Sequence, residues 1–200
     1  TLLASLLLIN AFNYFDGIDG SLAFSSISVL AILYFLIADE NLRIFLNIVL
    51  IPLCIFLFFN FSLLKLPKLF LGDGGSLLIG FVISFILVYS ANQKLAHPIL
   101  LAWSVVVFVY EFLSVNIHRL KNKKNIFRAS QDHLHHLLLK KNKSVIFTNI
   151  SIMIINLLLF IIGYFTYILL GPLSSFCMFV FCFIFFYYLR SYFLVYNESS

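Results

Sequence analysis

Residues 145–170, VIFTNISIMIINLLLFIIGYFTYILL, run for 26 positions without one Asp, Glu, Lys or Arg. A helix rises about 1.5 Å per residue, so about 20 apolar residues cross the roughly 30 Å hydrocarbon core of a bilayer. Working outward, similar stretches lie near 21–38, 42–64, 75–91, 98–117 and 173–195, and a partial one ends at about Phe12. Hydrophobic residues make up 62% of the chain, charged residues 10%, and mean hydropathy is +1.07. Soluble domains are roughly 45–50% apolar and about 25% charged. The expected fold is therefore an all-α polytopic integral membrane helical bundle, with about six full transmembrane helices plus one partial N-terminal helix. No repeat or low-complexity linker divides it, so residues 1–200 read as a single domain.

Net charge is +5, and eight of the thirteen Lys and Arg crowd into 119–143. By the positive-inside rule this basic, His-rich loop, 118–144, is cytoplasmic, and counting spans backwards puts Lys65, Lys68 and the Asp16/Asp19 segment on the same face. Asp39, Glu40 and Glu198 read as ordinary solvent-facing acids. Cys54, Cys177 and Cys182 fall inside spans with no CxxC spacing, which argues against a disulfide scaffold or a zinc site. His97 and Trp103 read as interface anchors, and the Phe-rich stretch 176–193 as a lipid-facing helix. The chain begins at Thr1 in mid-helix, and is read as a piece of a longer protein.

The other acids sit in three polar islands or alone inside an apolar run. In NAFNYFDGIDG, Asn10, Asn13, Asp16 and Asp19 recur every third residue, so neighbours share a helix face until Gly17 and Gly20 open it. Amide and carboxylate oxygens at a membrane edge suit Mg²⁺ or Mn²⁺; a solvated Asn/Asp-Gly helix terminus has the same composition. In LFLGDGGS, Asp73 lies among glycines that permit close approach of a phosphate, with Ser76 placed to cap the next helix, although a tight inter-span turn reads the same way.

The third island holds His118, Arg119, Lys121, Lys123, Lys124, Arg128, Asp132, His133, His135 and His136. If it is helical, Asp132 faces His135 and His136, and His133 faces His136, a cluster suited to gripping phosphates or passing protons. A basic stretch lying on anionic headgroups explains the Lys and Arg but not the clustered histidines. Glu111, inside a span, is a site candidate because intramembrane acids are costly. Oxygen ligands, a glycine turn and a cationic His-rich loop on one membrane face are the components of phosphoryl transfer with a lipid substrate.

These segments, NAFNYFDGIDG, LFLGDGGS and RASQDHLHHL, in this order and with these intervals, resemble the polyprenyl-phosphate N-acetylhexosamine-1-phosphate transferases of glycosyltransferase family 4, and the HLHH pattern is closer to the GlcNAc type than to the muramyl-pentapeptide type. The resemblance implies that Asn13 and Asp73 bind Mg²⁺ (or Mn²⁺), and that Asp16, Asp19, His133, His135 and His136 are catalytic. It places Asn10, Lys68, Glu111, Arg119, Arg128 and Asp132 at the substrate. It implies a UDP-N-acetylhexosamine donor and an undecaprenyl or other polyprenyl phosphate acceptor, with UMP released and a lipid-linked cell-envelope glycan begun. The expected setting is the bacterial inner membrane with the site facing the cytoplasm, among membrane lipid, with a homodimer admitted and no nucleic acid. The family's Asp-Asp motif has no counterpart in this chain, so residues 1–200 alone are expected to be inactive. Glu111 stands where the family usually has an Asp shortly after a Pro.

Two other readings predict different things. An ion-coupled transporter would place its acids near the bilayer midplane within inverted repeats. A catalytically inactive paralogue would bind lipid or protein only, which sits poorly with four motif acids and three histidines.

Overall fold

The computed structural model describes residues 2–62, 67–123 and 133–199, with side chains as far as Leu194. Helices and their connections account for all of the described residues: α1 Leu2–Tyr14, α2 Ser21–Leu36, α3 Glu40–Asn60, α4 Gly72–Asn92, α5 Pro98–Ser104, α6 Val106–Lys121, α7 Leu134–Asn142, α8 Val145–Leu170 and α9 Pro172–Ser199. Local chemistry sets the ends. Asp39 caps α3 by accepting from Leu42 N at 2.8 Å, and Ser144 caps α8 through Phe147 N at 3.4 Å. Gly171, at φ 85°, ends α8, and Pro172 opens α9 one residue later.

Four helices, α3, α4, α8 and α9, are long and apolar enough to cross a membrane, and α5 with α6 makes a fifth if the bent pair is one span. The expectation of six full spans is corrected on this point. Residues 21–38 supply only the 16 residues of α2, stopped by Gly20 at φ 71° and by extended backbone at Ile37. Ser21, Ser25, Ser26 and Ser28 of α2 are all buried. Small residues let neighbouring helices approach closely, so α2 packs against other helices over most of its length, with Tyr34 and Phe35 exposed near its end.

The expected span 98–117 is broken at Val105, where α5 and α6 bend by 75°. A break inside apolar surroundings frees backbone groups that must find partners. Asn156 of α8 meets this demand: its Nδ2 donates to Ser104 O at 3.1 Å and to Ser28 Oγ at 3.1 Å, and its Oδ1 accepts from Val107 N at 3.4 Å.

Trp103 is not at an interface. It is fully buried, its Nε1 donates to Ser175 Oγ at 3.0 Å, and its indole occupies the space above Gly163 that a Cβ would need. His97 caps α5 through Ile99 N at 3.2 Å. Helix α1 packs most extensively on α4, where Gly80 brings the backbones together: a Cβ there would stand 3.0 Å from Ile9 Cα. Along α9, Phe176, Phe181, Phe185 and Tyr188 are exposed, as a lipid-facing helix requires. The three cysteines are free.

Candidate active site

The α1–α4 contact brings the first two polar islands together. Helix α1 ends at Tyr14, and residues 15–20 turn before α2, so Asp16 and Asp19 lie on a loop beside Asp73 in the first turn of α4. Asp16, Asp19 and Asp73 line one cavity of about 340 Å³ with Gly17, Gly20, Asn60 and Gly72, within the usual range for small-molecule sites. Partial burial, and then the negative charge of Asp73, push the Asp16 carboxyl above its ordinary range.

Ser76 donates to Asn13 Oδ1 at 2.5 Å and lies 3.0 Å from the carbonyl oxygen of Asp73. Its expected role as a cap is corrected, because α4 starts four residues earlier, at Gly72, and Ser76 is buried inside the first turns. There it locks Asn13 to the Asp73 turn. Asn149 Nδ2 holds the loop from the other side by donating to Asp19 O at 2.7 Å. Lys68 Nζ meets Asp19 Oδ2 at 2.6 Å, with side chains 38% and 35% exposed; a pair that wet contributes at most about 1 kcal/mol.

The third island does not form one helix through its histidines. Helix α7 starts at Leu134, and His133 precedes it in extended backbone at φ −74°, ψ 150°. The expected His133–His136 pairing on one face is therefore replaced by a different arrangement. The His133 ring packs 4.9 Å from Tyr14 and stacks 5.6 Å from His135, and His135 lies 4.3 Å from His136. His135 and His136 rest on the backbone of Gly17, where a Cβ would collide with His135 Nε2 and stand 3.1 Å from His136 Nε2. The first and third islands thus meet at Gly17.

His135 is fully buried, and among the described residues neither ring nitrogen has a hydrogen-bond partner. Burial, followed by the neighbouring histidines, holds its imidazole well below the ordinary value of 6.5; burial, His133 and Lys140 lower His136 as well. Both rings are neutral at pH 7, each with one N–H to donate and one nitrogen to accept. Neutral rings can meet an anion only through N–H donors, so positive charge at this end of the bundle has to come from lysine and arginine.

Of the other predicted residues, Arg119 is buried in the last turn of α6 with its guanidinium 5.9 Å from the Tyr14 ring. Asn10 is exposed and its amide donates back to Leu6 O at 2.7 Å, so it does not join the cavity. Arg128 and Asp132, with Lys65 and Lys124, lie outside the described residues. Glu111 is 0% exposed, and its carboxylate faces His133, the Leu134 N–H and Arg190 rather than the cavity; expecting substrate contact from it is corrected.

Sequence reasoning missed Tyr14 and Arg190. Tyr14 lies inside the quoted motif between Asn13 and Asp16, whereas no local signal marks Arg190 except that it is a lone charge in the Phe-rich stretch.

Among the described residues no group of three His, Cys, Asp or Glu could hold a metal ion by itself. Two carboxylates close enough for the charge of Asp73 to raise Asp16, beside the Asn13 amide, are instead an all-oxygen partial set that fits Mg²⁺, which keeps several waters and few protein carboxylates. Asn13 Oδ1 retains a lone pair after accepting from Ser76.

A helical membrane bundle with three polar islands drawn to one end defines a class. Residues 1–91 match the family described as Glycosyl transferase family 4, and the chain is related to those proteins. Its relatives include the undecaprenyl-phosphate alpha-N-acetylglucosaminyl 1-phosphate transferases of Yersinia pestis, 32% identical over 147 residues, and of Escherichia coli (strain K12), 29% identical over 147 residues. The aligned stretch is 70% of this chain, and the chain spans 40% of the length of either relative. The Pasteurella multocida protein of the same name is 35% identical over 75 residues, 36% of this chain and 21% of its own. No solved structure matches.

Proposed function

We propose that this chain is the motif-bearing part of a Mg²⁺-dependent transferase that moves a sugar 1-phosphate, GlcNAc 1-phosphate in the first instance, from a UDP-sugar to undecaprenyl phosphate. The observation that carries this reading is the seating of His135 and His136 on Gly17, next to the cavity lined by Asp16, Asp19 and Asp73. A phosphate-recognising helix and a cation-ready acidic cavity are thereby adjacent.

An oxygen of the lipid phosphate attacks the β-phosphorus of the UDP-sugar. The new P–O bond forms as the bond from β-phosphorus to the bridging oxygen breaks, and UMP leaves with that oxygen. A phosphate monoester has its second pKa near about 6, so the attacking oxygen arrives ionised and no side chain has to take its proton. Mg²⁺, when bound, supplies neutralisation of charge on the diphosphate oxygens. Asp16 and Asp73 would hold it, with Asn13 as the neutral ligand fixed by Ser76. His135 and His136 would donate N–H groups to the phosphates, and Lys68 would carry positive charge at the rim. The basic loop gives the site a cytoplasmic face, where nucleotide sugars are dissolved.

The test is a transfer assay on membranes carrying the full-length gene, with radiolabelled UDP-GlcNAc, undecaprenyl phosphate and Mg²⁺, and Asp73→Asn alongside. Metal-dependent labelled lipid with stoichiometric UMP, lost in Asp73→Asn, is expected. No product across a panel of UDP-sugars would sink the proposal.

A further inference from the structure

Of the three ion contacts among the described residues, two converge on one carboxylate in the apolar interior. Glu111 Oε2 meets Arg190 Nε at 3.2 Å, and Glu111 Oε1 lies 3.5 Å from His133 Nδ1. The same Oε1 accepts from Leu134 N at 2.9 Å. Leu134 is the first residue of α7, and His133 at the cap position makes no side-chain capping bond. Glu111 therefore does from α6 what a capping side chain normally does within its own helix: it satisfies a free N–H and places negative charge at the positive end of the helix dipole.

Arg190 completes the arrangement from α9. Its neighbours Tyr188, Leu189 and Tyr192 are 69%, 43% and 66% exposed, whereas Arg190 is 2% exposed. The same end of α9 reaches both elements that frame the histidines, with Lys121 Nζ of α6 4.8 Å from the Tyr187 ring and Lys141 Nζ of α7 5.2 Å from the Phe193 ring. A buried ion pair is a poor way to gain stability, because desolvation offsets the attraction and apolar side chains of similar volume do as well or better. Elsewhere α9 meets α8 and α6 through apolar and aromatic contacts and neutral hydrogen bonds, Ser175 Oγ donating to Gly163 O at 3.0 Å and the Tyr110 hydroxyl to Phe179 O at 2.5 Å. A charged pair at this one place needs a reason other than cohesion.

We propose that Glu111 and Arg190 are a positioning pair that fixes the start of α7, and through it the rings of His133 and His135, for phosphate recognition; this rests on the phosphate role given to the histidines above. The pair makes α9, which lies far beyond the three motifs in sequence, part of the scaffold of the site. Neither residue touches the substrate.

Three variants of the full-length protein in lipid nanodiscs test this: Arg190→Leu, the double variant Glu111→Leu/Arg190→Leu, and Arg190→Lys. The readouts are the thermal midpoint, hydrogen exchange of α7 against α8, and kcat and KM for UDP-GlcNAc. Arg190→Leu alone leaves a buried carboxylate without its guanidinium partner, so it is expected to lose thermal stability whatever the role of the pair. The double variant separates the roles, because neither charge of the pair is left behind without the other. It is expected to melt within a few degrees of the wild type, yet its α7 amides should exchange at least about tenfold faster and its kcat/KM should fall about tenfold, the loss of one charge-assisted hydrogen bond. Arg190→Lys should recover part of both.

A double variant whose α7 exchanges as in the wild type overturns the positioning role. A loosened α7 with unchanged kcat/KM overturns its link to phosphate recognition. A wild-type protein that transfers nothing sinks the proposed function instead, and the exchange readout still decides what the pair does to α7.

Discussion

Gly17→Ala is the most direct probe of the way the first and third islands meet. Gly17 is outside the left-handed region that Gly20, Gly72 and Gly171 occupy, so an alanine suits its backbone. In the unfolded chain the substitution gains about 0.4–1 kcal/mol of stability through lost flexibility. The demand for glycine is spatial: a Cβ would overlap His135 Nε2, stand 2.9 Å from its Cε1 and 3.1 Å from His136 Nε2, against an ordinary contact of 3.4–4 Å. Restoring ordinary contact moves the His135 ring by more than about 1 Å, and a misplacement of even about 1 Å costs on the order of a hundredfold in rate, or about 2.7 kcal/mol of barrier. The expected result in the transfer assay is kcat down about a hundredfold, with the melting temperature within a few degrees because the gain in the unfolded state offsets the strain. Gly20→Ala is the contrast, since φ 71° and a clash with the Phe61 ring should impair folding itself. Wild-type turnover by Gly17→Ala would refute the seating of His135 on Gly17 in the reacting enzyme.

Asn156→Leu keeps the volume but strips the partners from the break between α5 and α6; unpaired Ser104 O and Val107 N should cost about 2–4 kcal/mol in a thermal or denaturant melt, and a loss below about 0.5 kcal/mol would mean that the break is satisfied otherwise. Lys68→Ala removes an exposed pair, so stability should change by less than about 1 kcal/mol; a larger loss would show a structural role for the loop contact. The depressed His135 predicts a pH profile. The unfolded ring takes up a proton near 6.5 and the buried ring resists it, so stability is level above 6.5 and falls as the pH drops below it. His135→Phe should flatten that fall, and equal acid sensitivity in the two proteins would contradict it.

Much of the site was legible because its chemistry is written in short segments. Asn13, Asp16 and Asp19 lie within one turn and the adjoining loop, and Asp73 lies in the next polar turn on the same face; span parity brings both to one end of the bundle. The histidine island was legible as a cluster but not in its geometry. Helical periodicity treats His133 and His136 as neighbours, whereas a carboxylate from α6 fixes the helix start at Leu134 and turns His133 to another partner. A contact between residues 23 positions apart leaves no trace in local spacing.

By itself the sequence determined that the chain is a helical membrane bundle, since hydrocarbon accepts only apolar residues over about 20 positions, and it determined which polar islands break that rule. Tertiary structure decided how deep each helix must run and which polar groups face one another. Helix α2 stops at 16 residues, between Gly20 in the left-handed region and extended backbone at Ile37, and packs its buried serines on neighbouring helices, although its hydropathy reads as a span. The break at Val105 exists because Asn156, from a distant helix, holds its backbone groups. Arg190 reads as a stray charge in a lipid-facing helix until Glu111 stands opposite. Hydropathy adds up residue by residue, but desolvated polar groups are satisfied only in pairs, and pairing is fixed by packing.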